Sequence, residues 1–333
     1  MKKYILPQGN SYKANMHCHS TFSDGAQTPE ELKQVYKAHG YSVLAITDHE
    51  SIFDHGYLDD EDFLTIPAYE REINKSAKEW DDVITCHLCI YPKDRSNINN
   101  VAFDPDFVHP KFRWMHTPEL KAKVTYLGET YKPNYSVESI NHIISEAKKY
   151  GFLVTLNHLE WSQERYEQFS QYEGYDALEL YNNGAARGGW DMDDGLYYDA
   201  LLKNGRRIRC VAADDNHNVR HSCGGWIVLR APALTHSDII GAFERGEYYS
   251  SNGPEISELY IEDGKLFITT PKAKHIRFIT GNRLMKLVSS EESAEYLTSA
   301  SISLNNVVDY IRVEVIDETG KKAYTNAIFK ENF

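Results

Sequence analysis

Along the chain, short apolar runs rich in β-branched residues alternate with stretches in which an apolar side chain returns every third or fourth position. The runs cover residues 14–18, 42–47, 63–67, 83–91, 152–156, 177–181 and 208–213, and their length and branching predict seven strands. The clearest helix lies between the first two. Thr28 stands at its N-cap, Pro29 at the first helical position and Glu31 where it completes a capping box. Leu32, Val35 and Tyr36 share one face, and Gly40 is the stop. Ser136 before Ile140, Ile143, Ile144 and Ala147, with Gly151 beyond them, repeats the arrangement. Further helices are read over residues 162–169, over 196–202 with Gly205 as the stop, and from the Thr235 and Asp238 capping pair to Gly246.

Strands that alternate with helices imply parallel pairing through right-handed crossovers. The uninterrupted FLVTL run at 152–156 calls for burial on both faces, and polar residues close nearly every strand. That pattern favours an α/β chain closed into a TIM-like barrel over an open doubly wound sheet, whose ligands gather near one switch point. The barrel is read over residues 1–254. An insertion at about 92–135 carries Phe103, Phe107, Phe112, Trp114 and Tyr126 and is expected over the barrel mouth. Beyond it the alternation changes: Asp263-Gly264 marks a hairpin turn, further strands follow, and residues 255–333 are read as a small all-β C-terminal domain.

The length of 333 residues suffices for a substantial core. A formal charge of −13, from 36 basic and 49 acidic residues, repels a polyanion, so nucleic acid is a poor partner unless bound cations reverse the field. No apolar run approaches the ~18 residues that span a bilayer, and the first residues lack the apolar segment of a secretory signal. A cytoplasmic protein with no membrane partner is therefore expected. Its five cysteines lack a paired zinc spacing and suit reduced thiols, and Cys18 and Cys86 should point away from their neighbouring histidines. An oligomeric partner is not specified.

The 14 histidines change the picture, because several stand where strands end. In His17-Cys18-His19, positions i and i+2 of a strand face the same way, so two imidazoles can serve one cation. One such pair is commonplace. Here it is joined by Asp48-His49 after the second strand, Glu70 closing the third, His87 on the fourth, Asn157-His158 after the fifth and Asp214-Asp215-Asn216-His217 after the seventh. Parallel barrel strands bring their C-terminal ends to one rim. Crowded charges there are costly when unpaired, and bound cations remove that cost.

The ordered set HCHSTFSDG (17–25), TDH (47–49), Glu70, His87, the NH pair at 157–158 and DNH (215–217) resembles the motifs of the PHP (polymerase and histidinol phosphatase) family over about residues 14–254. The resemblance implies a distorted (β/α)7 barrel with two or three divalent ions at the strand ends, and mixed imidazole and carboxylate ligation suits Zn, Mn or Fe. By position, it assigns His17, His19, Glu70 and Asp215 to one ion. Glu70 then bridges to a second ion held by His87 and His158, and Asp24, His49 and His217 hold a third. The tail SSNGPEI (250–256) also resembles the closing segment of single-chain members. Two features depart from the pattern: Leu159-Glu160-Trp161 stands where many relatives have Pro after the His, and the insertion has no counterpart.

Two ions sharing Glu70 would hold a bridging hydroxide with Glu70 and Asp215, and the third would bind phosphoryl oxygens. The expected activity is hydrolysis of a phosphate ester of a small metabolite or nucleotide. Arg187, Arg220 and Arg113 are candidate guanidinium contacts and Asn182 a candidate hydrogen-bonding contact to the substrate. His221 and His116 are candidate general acids, and Asp48 and Asp214 candidate orienters of neighbouring imidazoles. Competing readings are hydrolysis of a non-phosphorylated C–N or C–O bond, a 3′-exonuclease-like nucleic-acid module, and a noncatalytic metal-binding module.

Overall fold

A computed structural model describes residues 2–75, 84–106, 124–290 and 295–333. Among the described residues, thirteen strands precede the C-terminal region: β1 (Lys3–Tyr4), β2 (Asn10–Asn15), β3 (Val43–Ile46), β4 (Leu64–Pro67), β5 (Tyr69–Asn74), β6 (Thr85–Pro92), β7 (Asn99–Val101), β8 (Thr125–Leu127), β9 (Phe152–Leu156), β10 (Ala177–Asn182), β11 (Arg209–Ala213), β12 (Trp226–Ala231) and β13 (Tyr248–Ser251). The described helices are α1 (Pro29–Ala38), α2 (Val137–Lys149), α3 (Tyr166–Phe169), α4 (Asn183–Arg187), α5 (Gly195–Lys203) and α6 (His236–Arg245).

The helix ends follow the sequence closely. Thr28 accepts from the Glu31 N–H at 3.3 Å while the Glu31 carboxylate accepts from the Thr28 N–H at 2.9 Å, a reciprocal cap on α1. Ser136 caps α2, whose Ile140, Ile143, Ile144 and Ala147 are buried, each isoleucine contributing about 1.5–3 kcal/mol by leaving water. Thr235 caps α6, and Gly246 ends it at φ +75°. The helix read over 162–169 shrinks to α3, because the Ser162 hydroxyl faces His158 Nδ1 at 3.0 Å instead of capping a helix.

The chain is α/β, but its sheets do not close into the expected barrel. Strands β2, β3 and β4 pair in parallel. A second sheet has the order β11-β10-β9-β6-β5. Within it β9, β10 and β11 are parallel, whereas β6 runs antiparallel to both β5 and β9. The chain passes from β4 to β5 through Ala68 alone, so it enters the second sheet without a helix and returns as an antiparallel pair. Strand β5 is absent from the sequence reading, and Glu70 lies on it rather than at the end of β4. Among the described residues, strand-type pairing between the two sheets is limited to the isolated bridges His49 to Glu70 and Cys18 to Asn216. They face each other nonetheless, since one apolar cluster draws Met16, Val43 and Ile66 from the first and Cys89, Leu153 and Val211 from the second.

The C-terminal strands are β14 (Glu258–Glu262), β15 (Lys265–Ala273), β16 (His275–Thr280), β17 (Met285–Ser289), β18 (Leu297–Ser303), β19 (Tyr310–Ile316), β20 (Lys322–Thr325) and β21 (Ile328–Phe329); β14, β15 and β18 form a separate sheet with β1, whereas the others extend the first sheet through β12 and β13. One ten-stranded sheet thus runs β17-β16-β19-β20-β13-β12-β2-β3-β4 with β21 beside β19. The Asp263-Gly264 turn joins β14 to β15 with φ values of +47° and +68°, the left-handed pair that suits strand twist. In the insertion, Val101 and Ala102 pack into the core that contains Ile140 and Leu178. Residue 83, at the start of the expected fourth strand, and residues 107–123, which carry Phe107, Phe112, Arg113, Trp114 and His116, lie outside the described residues. No described helix is long and apolar enough to cross a membrane.

Candidate metal centre

Backbone hydrogen bonds sew the strand ends into one rim. Beyond β2, the His17 carbonyl accepts from the Asp215 N–H at 2.9 Å, and the His19 N–H donates to the Asn216 carbonyl at 3.3 Å. The Thr47 N–H donates to the Cys18 carbonyl at 2.8 Å, and the Glu50 N–H to the Glu70 carbonyl at 2.8 Å. Residues far apart in sequence are therefore fixed side by side before any side chain is considered.

Six imidazoles and three carboxylates converge there. Glu70 is the centre of the arrangement: its Oε1 lies 3.2 Å from His17 Nε2, 3.0 Å from His87 Nδ1 and 3.3 Å from His158 Nε2. Its Oε2 lies 3.2 Å from His19 Nε2 and 3.4 Å from His49 Nδ1. Asp215 Oδ1 is 3.0 Å from His19 Nε2 and 3.3 Å from His17 Nε2. Asp24 Oδ1 is 3.4 Å from His217 Nε2 and 3.6 Å from His49 Nε2. Four groups of potential donor atoms result, the atoms of each lying within 4.8 Å of one another: His17, His19, Glu70 and Asp215; Glu70, His87 and His158; His19, Asp24, His49 and His217; and His17, His158 and Glu179. All nine sequence-derived ligand candidates belong to these groups.

The chemistry of this donor set fits divalent cations. The Nε2 atoms of His17 and His19 are 3.2 Å apart, with lone pairs aimed into the same space, a placement that needs a proton or a cation between them. Several outward-facing nitrogens are fixed by other groups: His17 Nδ1 by Glu179 Oε1 at 3.0 Å, His158 Nδ1 by Ser162 Oγ at 3.0 Å and His217 Nδ1 by the Asp215 carbonyl at 3.2 Å. Such contacts set the tautomer that leaves the inward nitrogen able to bind a metal. Mixed imidazole and carboxylate donors suit borderline divalent metals.

Electrostatics agree. Burial disfavours charge on His17 and His19, yet the surrounding anionic groups, Glu70 and Asp215 among them, outweigh it and hold both imidazoles well above their ordinary pKa. Burial likewise opposes ionisation of Glu70 and Asp215, but the imidazoles pull both carboxyls well below the usual range. Burial and the neighbouring His19 push His49 down to about 3.

Some residues act differently from the sequence reading. Asp48 touches no imidazole among its hydrogen bonds; it accepts from the Ser20 N–H and hydroxyl and from the Ser23 hydroxyl, so it shapes the loop that follows His19. Asp214 accepts from the backbone N–H groups of Cys223, Gly224 and Gly225 and from the Tyr36 hydroxyl, fixing the backbone that presents Asp215. Asn182 is buried and committed to Glu179, Asp215 and the Ala185 N–H rather than open to substrate. Arg187 and Arg220 are exposed and line, with Asn218 and His221, a cleft of about 560 Å³. Burial and then His217 lower the His221 pKa, which suits a neutral ring. Arg113 and His116 lie outside the described residues. Cys18 packs against α1 and Cys86 into the core beyond β6, away from the centre, and all five cysteines are free.

Three participants escaped the sequence reading. Glu179 is buried on β10 behind His17, and its signal was a lone acid inside the apolar run ALELY. Glu72, two residues beyond Glu70 on β5, faces His87 Nε2 at 3.7 Å and His49 Nδ1 at 3.8 Å. Trp161 sets its ring edge-to-face against His158 and His87, with centroids 4.9 and 5.5 Å away.

The PHP domain family model matches residues 15–193. A curated 5′-3′ exoribonuclease of Haemophilus influenzae (strain ATCC 51907 / DSM 11121 / KW20 / Rd) is 50% identical over 40 residues, a match that spans 12% of this chain and 15% of that protein. Among solved structures, a two-domain protein of Bacteroides vulgatus ATCC 8482 containing a predicted PHP-like metal-dependent phosphoesterase is 13% identical, with 98% of each chain covered and a TM-score of 0.44. An amidohydrolase from Chromobacterium violaceum, solved with bound sulfate and no metal, is 13% identical, with 71% of this chain and 96% of that one covered and a TM-score of 0.39.

Proposed function

Because this chain belongs to the PHP domain family, we propose that it is a metal-dependent hydrolase of phosphate esters carried by a small metabolite or nucleotide. The observation that carries the reading is the shared carboxylate: Glu70 offers one oxygen to His17, His87 and His158 and the other to His19 and His49. A carboxylate so placed would be able to serve two neighbouring cations. His17, His19, Glu70 and Asp215 would hold one, Glu70, His87 and His158 a second, and Asp24, His49 and His217 a third. When bound, such cations supply Lewis acidity toward phosphoryl oxygens and ease the deprotonation of water near neutral pH.

The chain's own residues do the rest. Glu179, Ser162 and the Asp215 carbonyl keep the imidazole nitrogens pointed inward. Arg187 and Arg220 border the cleft beside His217 and offset substrate charge in a protein of net −13. The 40-residue likeness to an exoribonuclease supports a second reading, in which the phosphate ester is the end of an RNA strand.

The test is metal analysis of protein purified without chelator, followed by a screen for phosphate release from an aryl phosphate, nucleotides and sugar phosphates and for mononucleotide release from a 5′-phosphorylated RNA oligomer. Amide and lactone substrates run in parallel. Phosphate release that disappears on chelation and returns with added metal is the expected result. Turnover of amide or lactone by metal-loaded protein, with every phosphate ester left intact, defeats the proposal.

A further inference from the structure

We propose that Glu179 is a positioning residue that holds both Glu70-sharing donor groups in ligating geometry, a role that rests on the metal-dependent reading above. Its Oε1 accepts from His17 Nδ1 at 3.0 Å, and its Oε2 accepts from the His158 N–H at 3.1 Å and from Asn182 Nδ2 at 3.0 Å. Asn182 Nδ2 also reaches Asp215 Oδ2 at 3.1 Å. One buried carboxylate therefore touches a donor of the first group directly, another through Asn182, and the backbone of a donor of the second.

A local irregularity of the sheet makes this possible. In a regular strand, residues three apart face opposite sides, which would separate Glu179 from Asn182. The register of β10 against β11 shifts between Glu179 and Tyr181, where Glu179 pairs with Val211 but Tyr181 with Ala212. The bulge turns Asn182 to the side of Glu179, a use of bulges common beside functional sites. The ligand loops also need such a support. His158 and Asp215 have positive φ values of +23° and +47°, which are uncommon for residues that carry a side chain. The Glu179 carboxylate receives the His158 N–H, and the His17 carbonyl receives the Asp215 N–H at 2.9 Å. With Glu179 accepting from Nδ1–H, the His17 Nε2 lone pair faces the centre, and the ring is made a stronger donor.

Because His17, His158 and Asp215 all lean on this one side chain, loading of the two donor groups is coupled through it. The experiment uses full-length protein stripped with chelator and titrated with Co²⁺, read by calorimetry and by the visible absorption of the bound ion. Glu179→Gln keeps the shape but cannot accept from both His17 and the His158 N–H. It is expected to weaken binding about 10- to 100-fold and to alter the Co²⁺ spectrum. Asn182→Ser keeps an acceptor for the Ala185 N–H while removing the link to Glu179 and Asp215, and should show a smaller loss in the same direction. A merely structural role would lower the melting temperature but leave the affinity and spectrum of the folded fraction unchanged. If both variants bind Co²⁺ with wild-type affinity, stoichiometry and spectrum, the proposal is overturned. A wild-type protein that hydrolyses no phosphate ester while Glu179→Gln still loosens Co²⁺ defeats only the functional reading and upholds this one.

Discussion

Glu70→Gln removes one charge from the centre and keeps the side chain's shape. The carboxylate lies 3.2 Å from His17 Nε2 and 3.2 Å from His19 Nε2, the two rings held protonated against the penalty of burial. At an effective dielectric near 20, a unit pair at that separation is worth about 5 kcal/mol gross. Desolvation offsets much of it, and stripping one partner from a buried pair leaves a net cost of about 3–5 kcal/mol. The sign with pH follows from protonation. Imidazoles whose folded-state pKa is raised stabilise the fold fully below their unfolded value of about 6.5, and the contribution fades as pH rises through the folded value. Glu70 itself, pulled well below the carboxylate range by the imidazoles despite its burial, stays ionised throughout that window. Metal-free Glu70→Gln should therefore be about 3–5 kcal/mol less stable than wild type near pH 5.5, with the gap closing toward alkaline pH. At roughly 2 °C per kcal/mol, thermal melts of chelator-treated protein should differ by about 6–10 °C at the acid end. The same variant, purified without chelator, should lose metal and phosphate release together. Superimposable melts at every pH, with wild-type metal content, would refute the reasoning.

Two further outcomes follow from the same geometry. Protons on His17 and His19 must leave before these nitrogens bind a cation, so metal affinity should rise with pH. Calorimetry in buffers of different ionisation enthalpy should register the protons released, and binding that is indifferent to pH would contradict the assigned protonation. Arg187→Ala and Arg220→Ala, which alter exposed residues of the cleft beside His217, should raise KM several-fold for a phosphorylated substrate with little change in kcat. An unchanged KM would return both side chains to solvent.

What lies within one element was readable in the chain itself. The Thr28 and Glu31 reciprocal cap, the α2 face of Ile140, Ile143 and Ile144, and the Asp263-Gly264 turn depend on neighbours a few residues apart, where backbone geometry leaves few choices. Several candidate donors, such as His17, His19 and His49, stood out because they follow the ends of apolar runs, but the full set of nine came from the resemblance to the PHP motifs, since His87 lies inside β6 and Asp24 lies in a loop. Strand β5 was hidden by the opposite effect. Its sequence YEREIN carries Glu70 and Glu72 where a strand would show apolar residues, because that face meets the centre rather than the core. The antiparallel course of β6, the open sheets, the bulge on β10 and the place of Glu179 behind His17 were decided only in three dimensions. A period of two tells a strand which side is buried. Which strand lies beside it, and so which buried acid stands behind which imidazole, is set by packing between residues more than a hundred positions apart.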